Sequence, residues 1–335
     1  MLTNLQLLDI ANQKLLIGDL TDSELLEFCR VANERYRSGN PIISDENYDF
    51  IFIPELVKRL PENPFLQQVE NESAGFSEEK IKLPEKMLST DKAYSWEEIK
   101  KWLERITKFS EEINYPLNGI QIKGTAKLDG FAGFDDGLKL YTRGDGKKGS
   151  DISRVFERGL GIFNDSERGQ GPGEIVVKRS YFEKHLSNYF EYPRNFQASL
   201  IKEKELDKFA IDAISFKAAL FVPFTQLPQW LGSIKEFSDQ FLDIINILEG
   251  GVDFDIDGVV FEIVNPELKK HMGSNRKFHR WQIAFKENKE KAQVRVISVT
   301  AQVGRTGKIT PVAELEPTQL SGATIYRATG HHYGL

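Results

Sequence analysis

Residues 119–146, GIQIKGTAKLDGFAGFDDGLKLYTRGDG, decide the fold class of this 335-residue chain. Hydrophobic and polar residues alternate along GIQIKGTAK and again along LKLYTR, and a period of two is typical of β-strands. The Asp-Gly pair in the intervening FDDG favours a tight turn, so we expect these two segments to form a hairpin. Strands are also predicted at EIVVKRSYF, AISFKAALFV and DIDGVVFEIV. Because helices do not alternate regularly with the strands, the pattern predicts an α+β fold with antiparallel sheets.

The flanking segments predict three domains. Near the N-terminus, Thr21 and Glu24 have the spacing of a capping box in front of an amphipathic helix. NPIISDENYDFIF starts with a turn that Ser44 or Asp45 caps and continues as a helix. SIKEFSDQFLDIINILEGG is predicted as one helix closed by glycines. A polar segment rich in turn residues separates the first two domains, and the last part of the chain reads as three strands between Gly-rich turns. We expect domains at residues 1–66, 67–290 and 291–335.

The chain contains a single cysteine, Cys29, which excludes a disulfide framework or a Cys-rich zinc module within these residues. Cys29 shares one helix face with Leu25, Phe28 and Ala32, so we expect a buried core thiol. No apolar run reaches the length of a membrane span, and the N-terminus lacks the basic region of a secretion signal. These features predict a soluble, cytoplasmic protein with no zinc and no membrane partner.

The charge is unevenly distributed along the chain. With 44 Lys and Arg against 50 Asp and Glu, the net charge is −6, which argues against a surface covered in nucleic-acid-binding charge. Residues 266–309 nevertheless contain eleven basic and three acidic residues. Such a stretch is compatible with one face that meets a polyanion and equally with an ordinary solvated surface.

Two glycine-containing motifs are candidates for nucleotide binding. GDGKKG at 144–149 matches the dinucleotide pattern G-x-G-x-x-G, but the strand before it is predicted to pair in a hairpin, which argues against a Rossmann unit. In TAKLDG, Lys127 lies near a strand end and Thr125 shares its face. This motif alone is weak evidence for a nucleotide site. The evidence becomes stronger because four later segments, each ending a strand with a charged residue, follow it in order: TRGDG, GEIVV, DIDGVV and RWQIAFK.

The ordered motifs resemble those of the NAD-dependent DNA ligases of the bacterial type, over nearly the whole chain. KLDG, TRGDG, FDIDGVV, RWQIAFK, QVGRTGKITPVAELEP and RATGH stand in that family's order, and NPIISDENYD is similar to its NMN-recognition segment. The resemblance implies a helical NMN-binding cap, a nucleotidyltransferase domain with ATP-grasp-like antiparallel sheets, and a partial OB-fold β-barrel. It also implies NAD and Mg²⁺ as cofactors and nicked double-stranded DNA as a partner, in a bacterial or phage-infected cytoplasm.

The resemblance implies catalytic roles for three residues. Lys127 is the nucleophile that takes AMP from NAD, Asp257 holds a metal ion and helps to activate this lysine, and Lys286 stabilises charge on the phosphoryl oxygens. A free lysine has a pKa of about 10.4 and is protonated at neutral pH. Lys127 therefore needs nearby positive charge or desolvation, for which Lys286 and Mg²⁺ are the candidates.

The resemblance also implies contacts with the substrates. The adenine contacts are expected at Leu88, Ser89 and Thr125, and the ribose and phosphate contacts at Asp129, Arg143 and Glu174. The NMN contacts are expected at Tyr36, Asp45, Tyr48 and Asp49, whose carboxylates and rings suit a cationic nicotinamide. The DNA-backbone contacts are expected at Arg194, Arg305 and Thr306.

The sequence departs from the family's pattern at several positions. Thr125 stands where the family has a glutamate that contacts adenine. Glu262 stands where the family has a lysine, which reverses a charge beside a phosphate and would slow adenylyl or phosphoryl transfer unless another cation substitutes. In the NMN segment, Arg35 replaces one residue of an aromatic pair. These departures keep two alternatives open: a degenerate subunit that binds nucleotide or DNA without chemistry, and a nucleotidyltransferase that uses ATP or GTP.

The last departure concerns the OB-fold. A barrel of this kind needs about five strands, and about three are predicted before the last residue of the sequence. We therefore expect a second protein subunit that completes the barrel and supplies further DNA-binding domains, as in the split ligases of some large bacteriophages.

Overall fold

The computed structural model describes residues 2–12, 14–67, 80–203, 205–287, 293–303, 309–320 and 323–329. The backbone contacts divide the chain into two compact units, one formed by residues 1–67 and 288–335 and the other by residues 68–287. Both helices and multistranded sheets are present, which confirms the α+β class. Among the described residues, no helix is long and apolar enough to cross a membrane.

The N-terminal part of the first unit is helical, as predicted. Its elements are α1 (Asn4–Ala11), α2 (Asp22–Arg37), α3 (Asp45–Asn47) and α4 (Ile53–Arg59), with a π-helical turn at Tyr48–Phe52 between the last two. Thr21 and Glu24 form the expected capping box of α2. Ser44, and not Asp45, is the N-cap of α3. The predicted buried face of α2 is confirmed, and burial raises the pKa of the Cys29 thiol to about 12.

The second unit contains two five-stranded sheets. The strands are β1 (Ile81–Lys82), β2 (Ser89–Ala93), β3 (Gln121–Leu128), β4 (Phe131–Asp135), β5 (Leu140–Thr142), β6 (Lys148–Gly149), β7 (Gly161–Ile162), β8 (Gly171–Val177), β9 (Ala219–Pro223), β10 (Gln229–Ser233), β11 (Ile256–Ile263) and β12 (Phe278–Phe285). Sheet I has the order β10-β3-β11-β12-β2, and sheet II has the order β5-β4-β8-β9-β7. The sheets are mixed and not purely antiparallel as predicted, because β2 pairs with β12 and β7 with β9 in parallel.

The helices of this unit are α5 (Trp96–Glu112), α6 (Arg154–Glu157), α7 (Arg179–Tyr181), α8 (Pro193–Lys202), α9 (Lys208–Ser215), α10 (Ile234–Asp239), α11 (Phe241–Gly250) and α12 (Pro266–Met272). Two predicted strands are therefore partly helical. EIVVKRSYF leaves the sheet after Val177, and AISFKAALFV starts as the end of α9. The physical reason is periodicity, since Phe182 and Leu186, four residues apart, are both buried, as are Ala210 and Ala213. The single helix predicted over 233–251 is divided at Gln240.

The chain crosses from sheet I to sheet II through the KLDG motif. β3 belongs to sheet I and β4 to sheet II, with Asp129 and Gly130 between them. The predicted hairpin is therefore wrong in one partner, because β5 pairs with β4 and not with β3. Gly130 is required at the crossing, since a Cβ there would lie 2.3 Å from the carbonyl oxygen of Ile175.

The two faces of sheet I have different environments. α5, α10 and α11 pack against one face, where Trp102, Phe237 and Phe261 are fully buried. Along β3, every second residue is buried, Ile122 in this core and Ala126 and Leu128 in a second apolar cluster. Lys123, Thr125 and Lys127 lie on the opposite, half-buried face. The helices therefore leave one face of sheet I for polar chemistry.

The C-terminal part of the first unit contains the three predicted strands, β13 (Val296–Val303), β14 (Ile309–Leu320) and β15 (Ala323–Thr329). They form one antiparallel sheet in the order β13-β14-β15. Leu315 and Ile325 are buried in its small apolar cluster.

Candidate active site

Three charged side chains meet on the polar face of sheet I. The Nζ of Lys127 on β3 donates to Oδ2 of Asp257 on β11 at 2.6 Å, and the Nζ of Lys286, just after β12, lies 2.6 Å from Oδ1 of the same carboxylate. The exposed fraction of the side chain falls from 24% for Lys127 to 14% for Asp257 and 6% for Lys286. The structure thus brings together the three residues predicted to be catalytic, and Lys127 is the most accessible of them.

A β-bulge places Asp257 in this position. Ile256 pairs with Leu128 and Val259 with Ala126, so both Asp257 and Gly258 lie opposite Lys127. An extra residue of this kind changes the direction of a side chain within a strand. Gly258 makes the bulge possible, because its φ is +112° and a Cβ there would lie 2.2 Å from the carbonyl oxygen of Phe285.

The charges at this centre are strongly coupled. Burial works against an ionised Asp257, but the ammonium groups of Lys127 and Lys286 outweigh it and hold the pKa of this carboxyl well below its usual range. The carboxylate therefore does not serve as a general base near neutral pH. It holds the two ammonium groups side by side.

The Asp129–Gly130 turn beside Lys127 is held in place by residues of α8. Arg194 is 4% exposed. Its guanidinium lies 3.3 Å from Oδ1 of Asp129, donates to the carbonyl of Gly130 and lies over the Phe131 ring. The amide of Gln197 donates to the carbonyl of Asp129 at 3.3 Å. Arg194 is therefore a buried positioning group in this structure, and the geometry gives no support to its predicted contact with the DNA backbone.

A second carboxyl group lies near this turn. The backbone N–H of Asp129 donates to the carbonyl of Asp255 at 2.9 Å. Burial, followed by the negative charge of Asp129, raises the pKa of Asp255 to about 6. Asp255 is not predicted from the sequence, because residue type does not distinguish a half-buried acid from a surface acid.

Sheet II and the residue after β5 provide two of the three predicted ribose and phosphate contacts, Glu174 and Arg143. Ala132 on β4 pairs with Glu174 on β8, and the carbonyl of Ala132 accepts from the backbone N–H of Arg143 on its other side. Arg143 and Glu174 therefore flank Ala132. Glu174 also reaches the crossing, since a Cβ on Gly130 would lie 2.7 Å from its Cγ.

The backbone around two of the predicted adenine contacts, Leu88 and Ser89, is hydrogen-bonded to the loops before β6 and β12. Either side of Leu88, the N–H of Met87 donates to the carbonyl of Gly146, and the N–H of Ser89 donates to the carbonyl of Lys277. The hydroxyl of Ser89 is buried and finds no hydrogen-bond partner among the described residues. A buried polar atom of this kind fits a site that a polar ligand completes.

The residues predicted to bind NMN lie in the helical part of the first unit. Tyr36 is at the end of α2, where the Arg37 guanidinium lies 5.6 Å from its ring centre. Asp45 is the first residue of α3. Tyr48 donates its hydroxyl to the carbonyl of Cys29 at 3.3 Å, and Asp49 is 2% exposed. The latter two side chains thus face the interior of the helical part, and the NMN role of all four stays a prediction.

The donor set at Asp257 does not fit a resident metal ion. Both carboxylate oxygens already accept from lysine ammonium groups, where a metal ligand would present them to the ion. No cluster of three or more His, Cys, Asp or Glu side chains within the described ranges could hold a metal. The binding of Mg²⁺ stays a prediction.

The predicted DNA contacts Arg305 and Thr306 lie outside the described residues.

Comparison with known proteins shows which proteins this chain is similar to. Residues 293–334 match the NAD-dependent DNA ligase OB-fold domain. A DNA ligase of Ruthia magnifica is 64% identical over 319 residues, which is 95% of this chain and 52% of the relative. A DNA ligase of Shewanella baltica is 52% identical over 332 residues, 99% of this chain and 51% of the relative. The chain is a homologue of the NAD-dependent DNA ligases.

This relationship confirms the family resemblance drawn from the motifs and the OB-fold assigned to the C-terminal strands. A DNA ligase of Vesicomyosocius okutanii is 63% identical over 97% of the chain and again matches over 52% of its own length. The chain spans about half the length of the curated relatives it matches. The domain boundaries and the individual site residues remain predictions.

Proposed function

We propose that this chain transfers AMP from NAD to Lys127 and then to the 5′-phosphate of a nick in double-stranded DNA. The observation that carries the proposal is the geometry of Lys127 and Lys286, held on one carboxylate of Asp257 at 2.6 Å each, on the polar face of sheet I. NAD is the substrate of the first step.

In the first step, the Nζ of Lys127 loses its proton to solvent and attacks the phosphorus of the AMP moiety. An N–P bond forms, and the bond from this phosphorus to the bridging oxygen breaks, so that NMN leaves with that oxygen. The charge of Lys286 stabilises the negative oxygens of the transition state. Asp257 orients both ammonium groups before the substrate binds.

In the second step, a 5′-phosphate oxygen of the nick attacks the same phosphorus. The N–P bond breaks and Lys127 regains a proton. Attack of the 3′-hydroxyl on the activated 5′-phosphate then seals the strand and releases AMP. The expected second subunit, or the half of the relatives that this chain does not match, would supply further DNA contacts in this step.

Intact-mass spectrometry tests the first step. The purified chain is treated with excess NMN to remove any AMP already attached, and then incubated with NAD or ATP in the presence of Mg²⁺. We expect the mass of one AMP to be gained with NAD and not with ATP. The gain should be absent in Lys127→Ala and retained in Lys139→Met, which removes a lysine from a peripheral Lys–Asp pair of 2.8 Å.

The outcomes separate the alternatives. Adduct formation with ATP instead of NAD would indicate an ATP-using nucleotidyltransferase. Absence of an adduct with either nucleotide would favour a binding subunit without chemistry. Sealing of a nicked duplex is then measured with the chain alone and with the unmatched half of the Ruthia relative added as a separate polypeptide. If sealing does not increase on that addition, the expectation of a second subunit is wrong.

NAD selectivity has a separate test in the helical part. Asp45→Asn should slow formation of lysyl-AMP from NAD and leave transfer of preformed lysyl-AMP to DNA unchanged, because NMN has left by then. Asp22→Asn, in the first turn of α2, is the matched control and should affect neither rate. Equal slowing of both steps in Asp45→Asn would contradict an NMN-specific role.

A further inference from the structure

Two lysines face each other across the ladder of β1 and β6. Lys82 pairs directly with Lys148, and Ile81 pairs with Gly149. The Cβ atoms of directly paired residues in an antiparallel ladder lie about 5 Å apart on one face. Both lysines are exposed, and neither forms an ion pair or a side-chain hydrogen bond with another described residue. Because like charges in this position destabilise a sheet, an anion that contacts both lysines would relieve a repulsion that the fold creates.

Further lysines extend this positive surface. Residues 80–86 and 145–148 contain five lysines and two acidic residues. The residue after Lys86 donates its N–H to the carbonyl of the residue before Lys147 at 2.9 Å, so these two exposed lysines are neighbours. Oδ1 of Asp145 accepts from the backbone N–H groups of the two lysines in this turn, at 2.9 and 2.7 Å. The carboxylate is thus directed to the backbone of the turn, and these segments keep an excess of positive charge.

The backbone holds these lysines in place. The N–H of Leu83 donates to the carbonyl of Lys147 at 2.8 Å, which ties the turn to the chain beside Lys82. Gly144 has a φ of +55°, and a Cβ there would collide with the carbonyl oxygen of Lys148. Glycine is therefore required at this position because two chain segments approach closely, which accounts for part of the GDGKKG pattern without a dinucleotide. Opening of the turn to separate the charges would break these contacts.

The lysines lie next to the candidate active site. The turn that carries Lys147 and Lys148 begins at Arg143, whose N–H donates to the carbonyl of Ala132 beside Glu174. Lys147 is four residues from Arg143, so the two residues lie within about 14 Å of each other. Double-stranded DNA carries one negative charge per roughly 1.7 Å of its axis. A duplex whose 5′-phosphate reaches the active site would therefore bring several phosphates within this distance.

We infer that Lys82, Lys86, Lys147 and Lys148 bind the phosphate backbone of the nicked duplex beside the nick. The inference rests on the proposed function, whose second step requires DNA. Phosphate oxygens that contact Lys82 and Lys148 together neutralise two charges that the ladder holds face to face. Contacts of this kind fix the position of the duplex and carry no sequence information, as a protein that joins nicks in any sequence requires.

The salt dependence of DNA binding tests this surface. The chain is treated with excess NMN to remove attached AMP, and binding of a labelled nicked duplex is measured by fluorescence anisotropy at several salt concentrations. Each phosphate contact contributes about 0.9 to the slope of log K against log salt. Lys82→Gln combined with Lys148→Gln should therefore reduce the slope by about 2 and weaken binding at least about tenfold at about 0.1 M salt. Two duplexes of different sequence should lose affinity equally.

A matched pair of lysines provides the control. Lys101 and Lys108 are exposed on α5, which packs against the other face of sheet I. Lys101→Gln combined with Lys108→Gln makes the same change in net charge, and it should alter the slope by less than about 0.5. The Lys82 and Lys148 double variant should melt at or above the wild-type temperature at low salt, because a like-charge pair has been removed. Its KM for NAD and its rate of lysyl-AMP formation should match those of the wild type, since the first step involves no DNA.

Each outcome bears on this inference separately from the proposed function. Equal loss of DNA affinity in the two double variants would show an ordinary solvated surface and overturn the inference. A higher KM for NAD with unchanged binding of the duplex would assign the lysines to the phosphates of NAD, which also overturns it. Absence of duplex binding by the wild-type chain at about 0.05 M salt would overturn it as well. If lysyl-AMP does not form but only the Lys82 and Lys148 variant loses affinity for DNA, the proposed function fails and the inferred surface stands.

Discussion

Replacing Asp257 by asparagine should destabilise the second unit strongly. The change keeps the size of the side chain but leaves Lys127 and Lys286 facing each other without the carboxylate that each of them contacts at 2.6 Å. Removing one partner of a buried ion pair costs about 3–5 kcal/mol. Because the lysine side chains are not equally buried, we place the loss of unfolding free energy at about 3 kcal/mol, the lower end of that range.

Urea denaturation at pH 7 measures this loss. With a slope of about 2–3 kcal/mol per molar urea, the midpoint should fall by roughly 1 M or more. The matched control is Asp165→Asn, whose carboxylate also lies 2.6 Å from a lysine, Lys217, but with both side chains more than 60% exposed. Exposed pairs of this kind contribute between about 0.2 and 1 kcal/mol. A loss for Asp257→Asn no larger than for the control would refute the buried three-charge centre.

Two further measurements separate charge from packing. In the Asp257→Asn background, Lys127→Met should restore part of the lost stability, since it removes the repulsion between two ammonium groups. The pKa of Asp257 is lowered in the folded state, so its stabilisation is fully present above about pH 4 and is lost as the pH falls through the lowered pKa. The difference in unfolding free energy between wild type and Asp257→Asn should therefore stay constant from about pH 5 to about pH 8.

Three other predictions follow from single positions. Gly258→Ala should lower the unfolding free energy by at least about 2 kcal/mol in urea, because the alanine meets both a φ of +112° and the carbonyl of Phe285. A smaller loss would show that the bulge relaxes. Asp255→Asn should stabilise the protein by about 1–2 kcal/mol at pH 8. The pKa of Asp255 is raised to about 6, so the cost of ionising it builds up as the pH rises from about 4 through 6. The gain should therefore vanish below about pH 4, and a gain that persists there would contradict this origin. Cys29, with a pKa of about 12 and no exposed surface, should not react with a thiol reagent at pH 8 until urea unfolds the chain. Labelling of the native protein at the rate of the unfolded one would contradict its burial.

The local structure of several elements could be predicted from the sequence, because neighbouring residues determine it. The capping box of α2 depends on Thr21 and Glu24, three residues apart, and both lie as expected. The alternation along β3 likewise depends only on side-chain spacing, and the polar face that carries Thr125 and Lys127 is confirmed. The family resemblance rests on the same kind of information, since ordered motifs survive in the sequence whatever their positions in space.

Pairing between distant segments was decided by the tertiary structure. The sequence predicts the Asp-Gly turn before β5, but this turn joins β5 to β4 and not to β3. The chain leaves sheet I after β3 because Gly130, which has no Cβ, fits close to the carbonyl oxygen of Ile175. Arginine is a residue type expected at surface contacts with DNA, yet the fold buries Arg194 against Asp129 and the Gly130 carbonyl.

The charged residues of the candidate active site show most clearly what the sequence determines and what the tertiary structure determines. The sequence by itself identified Lys127, Asp257 and Lys286 as a set, and it marked Glu262 as an unfavourable charge. Only the strand register placed Lys123 opposite Glu262 and both Asp257 and Gly258 opposite Lys127. Electrostatic interactions depend on distances of a few ångströms between residues more than a hundred positions apart. For this protein, the sequence determined which charged groups are present. The packing of sheet I determined which of them lie within ion-pair distance of one another.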